Sequence, residues 1–317
     1  MMGGKKFYGK KVKPYFYAMK KLDILWKGII EDLPIYFIKY FFPNASEILD
    51  LSKSIMFLDK ELEELFPQES PDHPKYVDKL LKVITLDGKE EWILIHIEVQ
   101  GYADPNFSKR MYTYFYRLFD KYQKSVTALA IFTDNQPGYM PDRFEYSFMG
   151  TTQFYQYNTY KVADQNEADL LANNNPFALV VLTALRAIKA HKATDNDLMA
   201  LKLDLYRTMI SRQIDKTTMR ALANFLKMYI PFAKPEISLT FEKQIESITP
   251  NITTMGIEEL ILHITEQKGI EKGKAEGKAE VVKNLIIKLG LNDEQVANIA
   301  GVSIEFVQQV RAGISVS

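Results

Sequence analysis

Trp92-Ile-Leu-Ile-His-Ile-Glu-Val-Gln100 is the stretch on which the fold turns. In an extended chain, side chains alternate between two faces, so Ile93, Ile95, Ile97 and Val99 share one side while Trp92, Leu94, His96, Glu98 and Gln100 share the other. One face is uniformly apolar; the other carries a carboxylate and an amide roughly 7 Å apart along the strand. An ionised acid in so apolar a strand requires a compensating partner.

The sequence upstream supplies a second strand. Tyr76 to Leu86 suits an extended chain, Asp87-Gly88 is a strong turn signal, and the two runs together read as a hairpin. Asp78 lies near the start of its first strand, where it can complete a site with Glu98. Two carboxylates and the intervening backbone carbonyl of Val99 form a hard-oxygen donor set suited to Mg²⁺ or Mn²⁺, with waters in the remaining positions. Such a cation would activate water for attack on a phosphodiester and offset charge on the non-bridging oxygen. The competing reading pairs Glu98 with a lysine or arginine and leaves Asp78 at a solvated strand edge. The metal reading makes a demand on register. Facing positions must have numbers with an even sum, ideally 176, whereas a two-residue Asp87-Gly88 turn gives an odd sum; a three-residue loop or a bulge is therefore expected.

Around the hairpin, Asp23 to Phe42 reads as an aromatic-rich amphipathic helix that Pro34 kinks or divides. After the break at Asp104-Pro105, Phe107 to Tyr122 has helical spacing, and Ser125 to Thr133 reads as a buried strand alongside Glu91 to Gln100. A further strand is expected over Gln153 to Val162, and from Pro176 the chain reads as helical almost to its end. The fold class is α/β, with a mixed central sheet flanked by helices and a helical C-terminal region. The expected parts are a basic arm over 1–22, a core over 23–175, a helical region over 176–267 and a tail over 268–317.

These residues resemble the Rpn group of recombination-promoting nucleases, bacterial transposase-like proteins of the PD-(D/E)XK superfamily. The resemblance rests on Tyr76-Val-Asp-Lys-Leu-Leu-Lys-Val83, Asp87-Gly88, Trp92 to Gln100, Lys109-Arg-Met-Tyr-Thr-Tyr114 and Ser125 to Asp134, and covers about half of the 317 residues. It implies a restriction-endonuclease-like core and Mg²⁺-dependent endonuclease activity on DNA. It implies that Asp78 and Glu98 bind the metal and that Gln100 stands where most of the superfamily has lysine. Glutamine can orient a water or bond a phosphate oxygen, but it supplies no charge. Leu22-Asp-Ile-Leu-Trp-Lys27 resembles the family's opening helix, which makes Asp23 a further candidate acid; the competing reading is an Asp23/Lys27 helix pair. A catalytically weak or inactive DNA-binding or protein-interaction module and an RNA nuclease toxin are the alternative functions.

Arg110, Tyr114 and Arg117 share one helical sector and are candidate contacts to a nucleic acid backbone, against ordinary packing and surface roles. His96 shares Glu98's face, as a second group near the metal or as a hydrogen-bonded core histidine.

Composition narrows the classes. The chain is 47% apolar and 25% charged, enough to bury a sizeable core. Forty basic residues balance forty acidic ones, so affinity for DNA must come from local patches. With no cysteine there are no disulfides or thiolate metal sites, which favours a reducing compartment. The first 21 residues hold seven lysines and no acid but no continuous apolar run, and Pro176 to Ala184 is too short to cross a bilayer, so a cytoplasmic protein without membrane contact is expected. Gly269, Gly273 and Gly277 recur at a spacing that suits a linker or a homodimer contact. Asn292 to Gly313 has a helix-turn-helix layout, with Gly301 at its bend and Asn292 and Ser303 as N-caps; its second helix offers Gln308, Gln309 and Arg311.

Overall fold

The computed structural model describes residues 22, 24–65, 77–98, 103–190, 192–212, 214–248, 280–287 and 291–314. Asp23, Val99, Gln100, most of the basic arm and the glycine-spaced stretch lie outside them, as does the side chain of Asp78. The chain divides into two compact units, 1–254 and 255–317.

The first unit opens with helix α1 over 24–32 and α2 (Pro34–Phe41), separated at Leu33. Pro34 divides the expected long helix because its ring removes a backbone donor, and its fixed φ suits the first position of a new helix. A short α3 (Ala45–Ile48), edge strand β1 (Met56–Phe57) and α4 (Asp59–Leu65) lead to the hairpin of β2 (Val77–Ile84) and β3 (Glu90–Glu98). Then come α5 (Phe107–Tyr122), β4 (Val126–Phe132), β5 (Arg143–Phe148), β6 (Thr151–Gln156) and β7 (Asn158–Lys161). The helices α6 (Glu167–Ala172), α7 (Phe177–Lys189), α8 (Asp195–Ser211), α9 (Lys216–Tyr229) and α10 (Pro235–Ile248) follow.

The main sheet has the order β1-β2-β3-β4-β7, with antiparallel pairing as far as β3 and parallel pairing from β3 to β4 and from β4 to β7. It is the expected mixed sheet, and the crossover through α5 sets β4 directly beside β3. The hairpin register also meets the demand made above. Partners sum to an even 174, with Asp78 opposite His96 and Leu80 opposite Leu94. The connection is a three-residue loop, Leu86-Asp87-Gly88, closed by Thr85 and Lys89, with Gly88 in the left-handed region at φ +81°. Register differs by two from the ideal of 176, so Asp78 stands diagonal to Glu98 on the same face, not directly opposite it.

The faces of the sheet are covered differently. Leu81, Val83, Ile93, Ile95, Ile97, Leu129 and Ile131 enter one large core with Trp26 and Phe37 of the opening helices and with α7, α8, α9 and α10. The helical segment beginning at Pro176 thus shares its core with the sheet, and 175/176 is not a packing boundary. The other face, with Leu80, Trp92, Leu94, Ala128, Ala130 and Phe132, is covered by the Phe107, Met111, Tyr114 and Leu118 stripe of α5. That i, i+4, i+7, i+11 spacing follows helical periodicity, so α5 lies along the face that carries Glu98.

The strand expected over Gln153 to Val162 is two strands. Tyr157 interrupts it by donating its backbone N–H to Asp142 (3.0 Å), and the chain passes from the separate β5-β6 hairpin into the main sheet.

In the second unit, residues 280–287 form α11, followed by α12 (Asp293–Ala300) and α13 (Ile304–Ile314). Asn292 caps α12 in a reciprocal box with Gln295, Gly301 ends it at φ +60°, and the Ser303 hydroxyl accepts from Phe306 N–H. Val282, Ile286, Val296 and Val307 form its small core. Arg311 bonds Asp293 at 2.7 Å and the Leu291 carbonyl at 2.9 Å, so it ties α13 to the start of α12.

Among the described residues no helix is long and apolar enough to cross a membrane.

Candidate active site

Glu98 sits at the C-terminal end of β3, where its main chain is fixed by two donors from β4's end. Thr133 N–H and Oγ1 reach the Glu98 carbonyl at 3.0 and 3.2 Å. Its side chain is only 1% exposed. Burial of an unpaired carboxylate costs several kcal/mol, and α5 supplies the compensation. Arg110, in the second turn of α5, donates from one terminal nitrogen to Glu98 Oε2 at 2.9 Å. His96 Nε2 lies 3.5 Å from the same oxygen. The pairing of Glu98 with an arginine, which the sequence leaves open, is present.

Arg110 is held in turn by Asp104, which accepts from its other terminal nitrogen. Asp104 also organises the start of α5. Its Oδ1 accepts from Asn106 N–H (2.8 Å) and its carbonyl from Phe107 N–H (3.1 Å), so the break at Asp104-Pro105 positions Arg110. The Tyr139 hydroxyl completes this side, donating to the Asp104 carbonyl and accepting from Asp104 N–H, each at 3.1 Å. Burial first, and the charges of Glu98 and Asp104 second, hold the Tyr139 hydroxyl far above the ordinary tyrosine range, so it stays protonated.

His96 is fully buried, edge-on to Phe107 at 5.1 Å and 6.3 Å from the Tyr114 ring. It is a core histidine whose ring nitrogen reaches the Glu98–Arg110 pair. Of the helical sector proposed for a phosphate backbone, Tyr114 is buried in the α5 seam, Arg110 is committed to the two acids, and Arg117 is exposed with a bond to the Leu65 carbonyl at 3.3 Å. Register places Asp78 beside this cluster, one diagonal from Glu98. Asp23, Val99 and Gln100 lie outside the described residues. Among the described residues no group of three or more His, Asp or Glu side chains is gathered in a metal-binding arrangement.

A second buried ion pair lies across the same strand ends. Glu98, Phe132 and Lys161 occupy one register row over β3, β4 and β7. Lys161, 3% exposed, bonds Asp134 Oδ1 at 2.6 Å and the Tyr139 carbonyl at 3.3 Å, with its ammonium 5.7 Å from the centre of the Phe132 ring. Asp134, Tyr139 and Lys161 do not stand out in the sequence. One signal is there: Asp134 directly follows an apolar strand and Thr133, in the crevice beyond the carboxyl ends of parallel strands where α/β folds gather polar groups.

No protein-family model, curated protein or solved structure matches the chain.

Proposed function

We propose that the chain is a metal-dependent nuclease with a PD-(D/E)XK-like core, hydrolysing the phosphodiester backbone of DNA. The observation that carries this reading is the hairpin register. An even sum and a three-residue loop put Asp78 and Glu98 on one face, as a shared metal site requires. The succession of helix, hairpin, helix and parallel strand supports the same core.

The donor chemistry fits a hard cation in part. Glu98 is a buried carboxylate, although its Oε2 is engaged by Arg110; Asp78 and the Val99 carbonyl are the further oxygens this reading assigns. Mg²⁺ or Mn²⁺ held there would supply Lewis acidity at the phosphate. The chain's own residues have distinct tasks. Arg110 orients Glu98, Asp104 fixes Arg110, and Tyr139 retains its proton at the edge of the site. Gln100 would orient water or a phosphate oxygen without adding charge. Arg117 is one of the exposed cations of α5, with Lys109 and Lys121, that this reading offers to the nucleic acid backbone.

A second reading, an inactive DNA-binding or protein-interaction module, is favoured by the Glu98–Arg110 pair, which already neutralises the principal ligand. Incubating the protein with plasmid and with RNA, in Mg²⁺ and in EDTA, tests both, alongside calorimetric titration with Mg²⁺. Metal-dependent DNA cleavage is expected. DNA binding without metal binding or cleavage would establish the second reading, and cleavage of RNA alone would replace the substrate. A role in recombination or a mobile element rests on the family resemblance.

A further inference from the structure

The β5-β6 hairpin has a surface that its own unit leaves uncovered. Phe144, Tyr146 and Phe148 of β5 share one face with Thr151, Gln153 and Tyr155 of β6. At the root this face is well covered. Phe144 stacks on Tyr112 of α5 (4.8 Å, 10°) and Tyr155 on Phe115 (4.6 Å, 21°). Beyond the root the cover ends, with Tyr146 51% and Phe148 62% exposed. The aromatic series continues along α5 through Tyr112 to Tyr116 and Phe115 to Phe119, which are 52% and 45% exposed.

The tip adds two independent features. Phe148 pairs with Thr151, so Met149-Gly150 is a two-residue turn, and both central residues have positive φ, 46° and 83°. That turn favours Asn-Gly, because a side chain such as methionine is strained there. Met149 is also 87% exposed. A strained backbone presenting an apolar side chain to water has no internal rationale in this unit.

The hairpin's edges are equally unguarded. β5 and β6 pair only with each other among the described residues, and from Tyr146 to Tyr160 the sequence has no charged residue and no proline. Edge strands ordinarily carry such residues to prevent pairing with another chain.

We propose that this hairpin, with the exposed aromatic face of α5, is a self-association surface whose occupant is the same surface of a second copy of the chain. Charge selects the occupant. The hairpin's single cation, Arg143, is at the root and is engaged by Glu145 at 3.0 Å, so nothing toward the tip meets a phosphate backbone. The surface matches a partner that is neutral, aromatic and open-edged, as it is itself, and a two-fold axis supplies that self-complementarity. The size is suitable as well. Tyr116, Phe119, Tyr146, Phe148 and Met149 together expose on the order of 500 Å² of side chain, most of the ~800 Å² that one partner contributes to a standard interface. This assignment is independent of the nuclease reading.

Sedimentation of the full chain over a range of concentrations tests it. The wild type should form a dimer, and Phe148→Glu should weaken that dimer about 100-fold while leaving the circular dichroism spectrum unchanged. Met149→Asn suits the turn better and keeps the measurement informative if Phe148→Glu fails to fold; it should weaken the dimer about 10-fold without loss of thermal stability. Because the chain has no cysteine, Met149→Cys places a unique thiol at the tip, and a short bismaleimide should convert it to a covalent dimer. A monomer at every concentration would overturn the proposal, as would a dimer indifferent to both substitutions. Loss of oligonucleotide binding in Phe148→Glu without any self-association would assign the surface to nucleic acid instead.

Discussion

Replacing Arg110 with methionine tests the electrostatics of the site most sharply, because it removes the charge while retaining much of the aliphatic packing. Glu98 is 1% exposed and loses its 2.9 Å partner, and an uncompensated buried charge of this kind costs about 3–5 kcal/mol. Asp104 loses less, since it is 14% exposed and keeps its bond from Asn106. The guanidinium's contact with the Phe107 ring, at 5.1 Å, adds roughly 0.5 kcal/mol. The expected loss is about 4 kcal/mol, or a fall in melting temperature of roughly 10 °C for a unit of this size. Chemical denaturation with and without Glu98→Gln in the same background measures it, and the neutral amide should restore about half the loss. Adding Mg²⁺ should also stabilise Arg110→Met more than the wild type, because the cation then meets a carboxylate with no competing guanidinium. A loss below about 1 kcal/mol, with no effect of Glu98→Gln, would refute the reasoning that Arg110 compensates a buried charge.

Three further outcomes follow from local features. Gly88→Val should destabilise the protein by about 1–2 kcal/mol in denaturant titration, through the left-handed backbone alone, since nothing lies within 4 Å of the point a Cβ would occupy there. Lys202, buried, donates to the Lys227 and Ile230 carbonyls at 3.2 and 2.8 Å at the end of α9, so Lys202→Met should cost about 2 kcal/mol in the same assay. Burial pushes the Tyr157 and Tyr229 hydroxyls up to about 12. A folded value above the unfolded one near 10 means their contribution is complete below pH ~10 and is lost as pH rises toward ~12, by about 1.4 kcal/mol per unit for each. Tyrosinate absorbance should therefore rise together with loss of helical circular dichroism in that window; ionisation complete before unfolding would contradict it.

Much of the sheet is legible in the sequence because its determinants are local. Alternation between Trp92 and Glu98 fixes the two faces, Pro34 marks the helix break, and the requirement that Asp78 and Glu98 share a face calls for the loop found at Leu86-Asp87-Gly88. The partner of Glu98 is not legible. Arg110 is twelve positions downstream on a helix, and its pairing exists only because α5 folds back over the face of β3. The Asp134–Lys161 pair is hidden for the same reason, since it requires β7 to lie parallel beside β4. The β5-β6 hairpin is obscured because its turn is Met-Gly, a pair that does not signal the conformation it adopts. Helices from Pro176 onward are evident from periodicity, but their merger into the core of the sheet depends on tertiary packing, which periodicity does not report.

The central claim, that Asp78 and Glu98 form a metal-dependent nucleolytic centre, is tested most directly by plasmid nicking under Mg²⁺ titration. The panel is the wild type with Asp78→Ala, Glu98→Ala, Gln100→Ala and Gln100→Lys. Removing either acid should abolish Mg²⁺-dependent nicking, because a hard cation is poorly held by one carboxylate. Gln100→Ala should slow nicking by roughly 10²-fold with metal affinity nearly unchanged, and Gln100→Lys should be tolerated. Nicking at the wild-type rate by Asp78→Ala or Glu98→Ala would contradict the account.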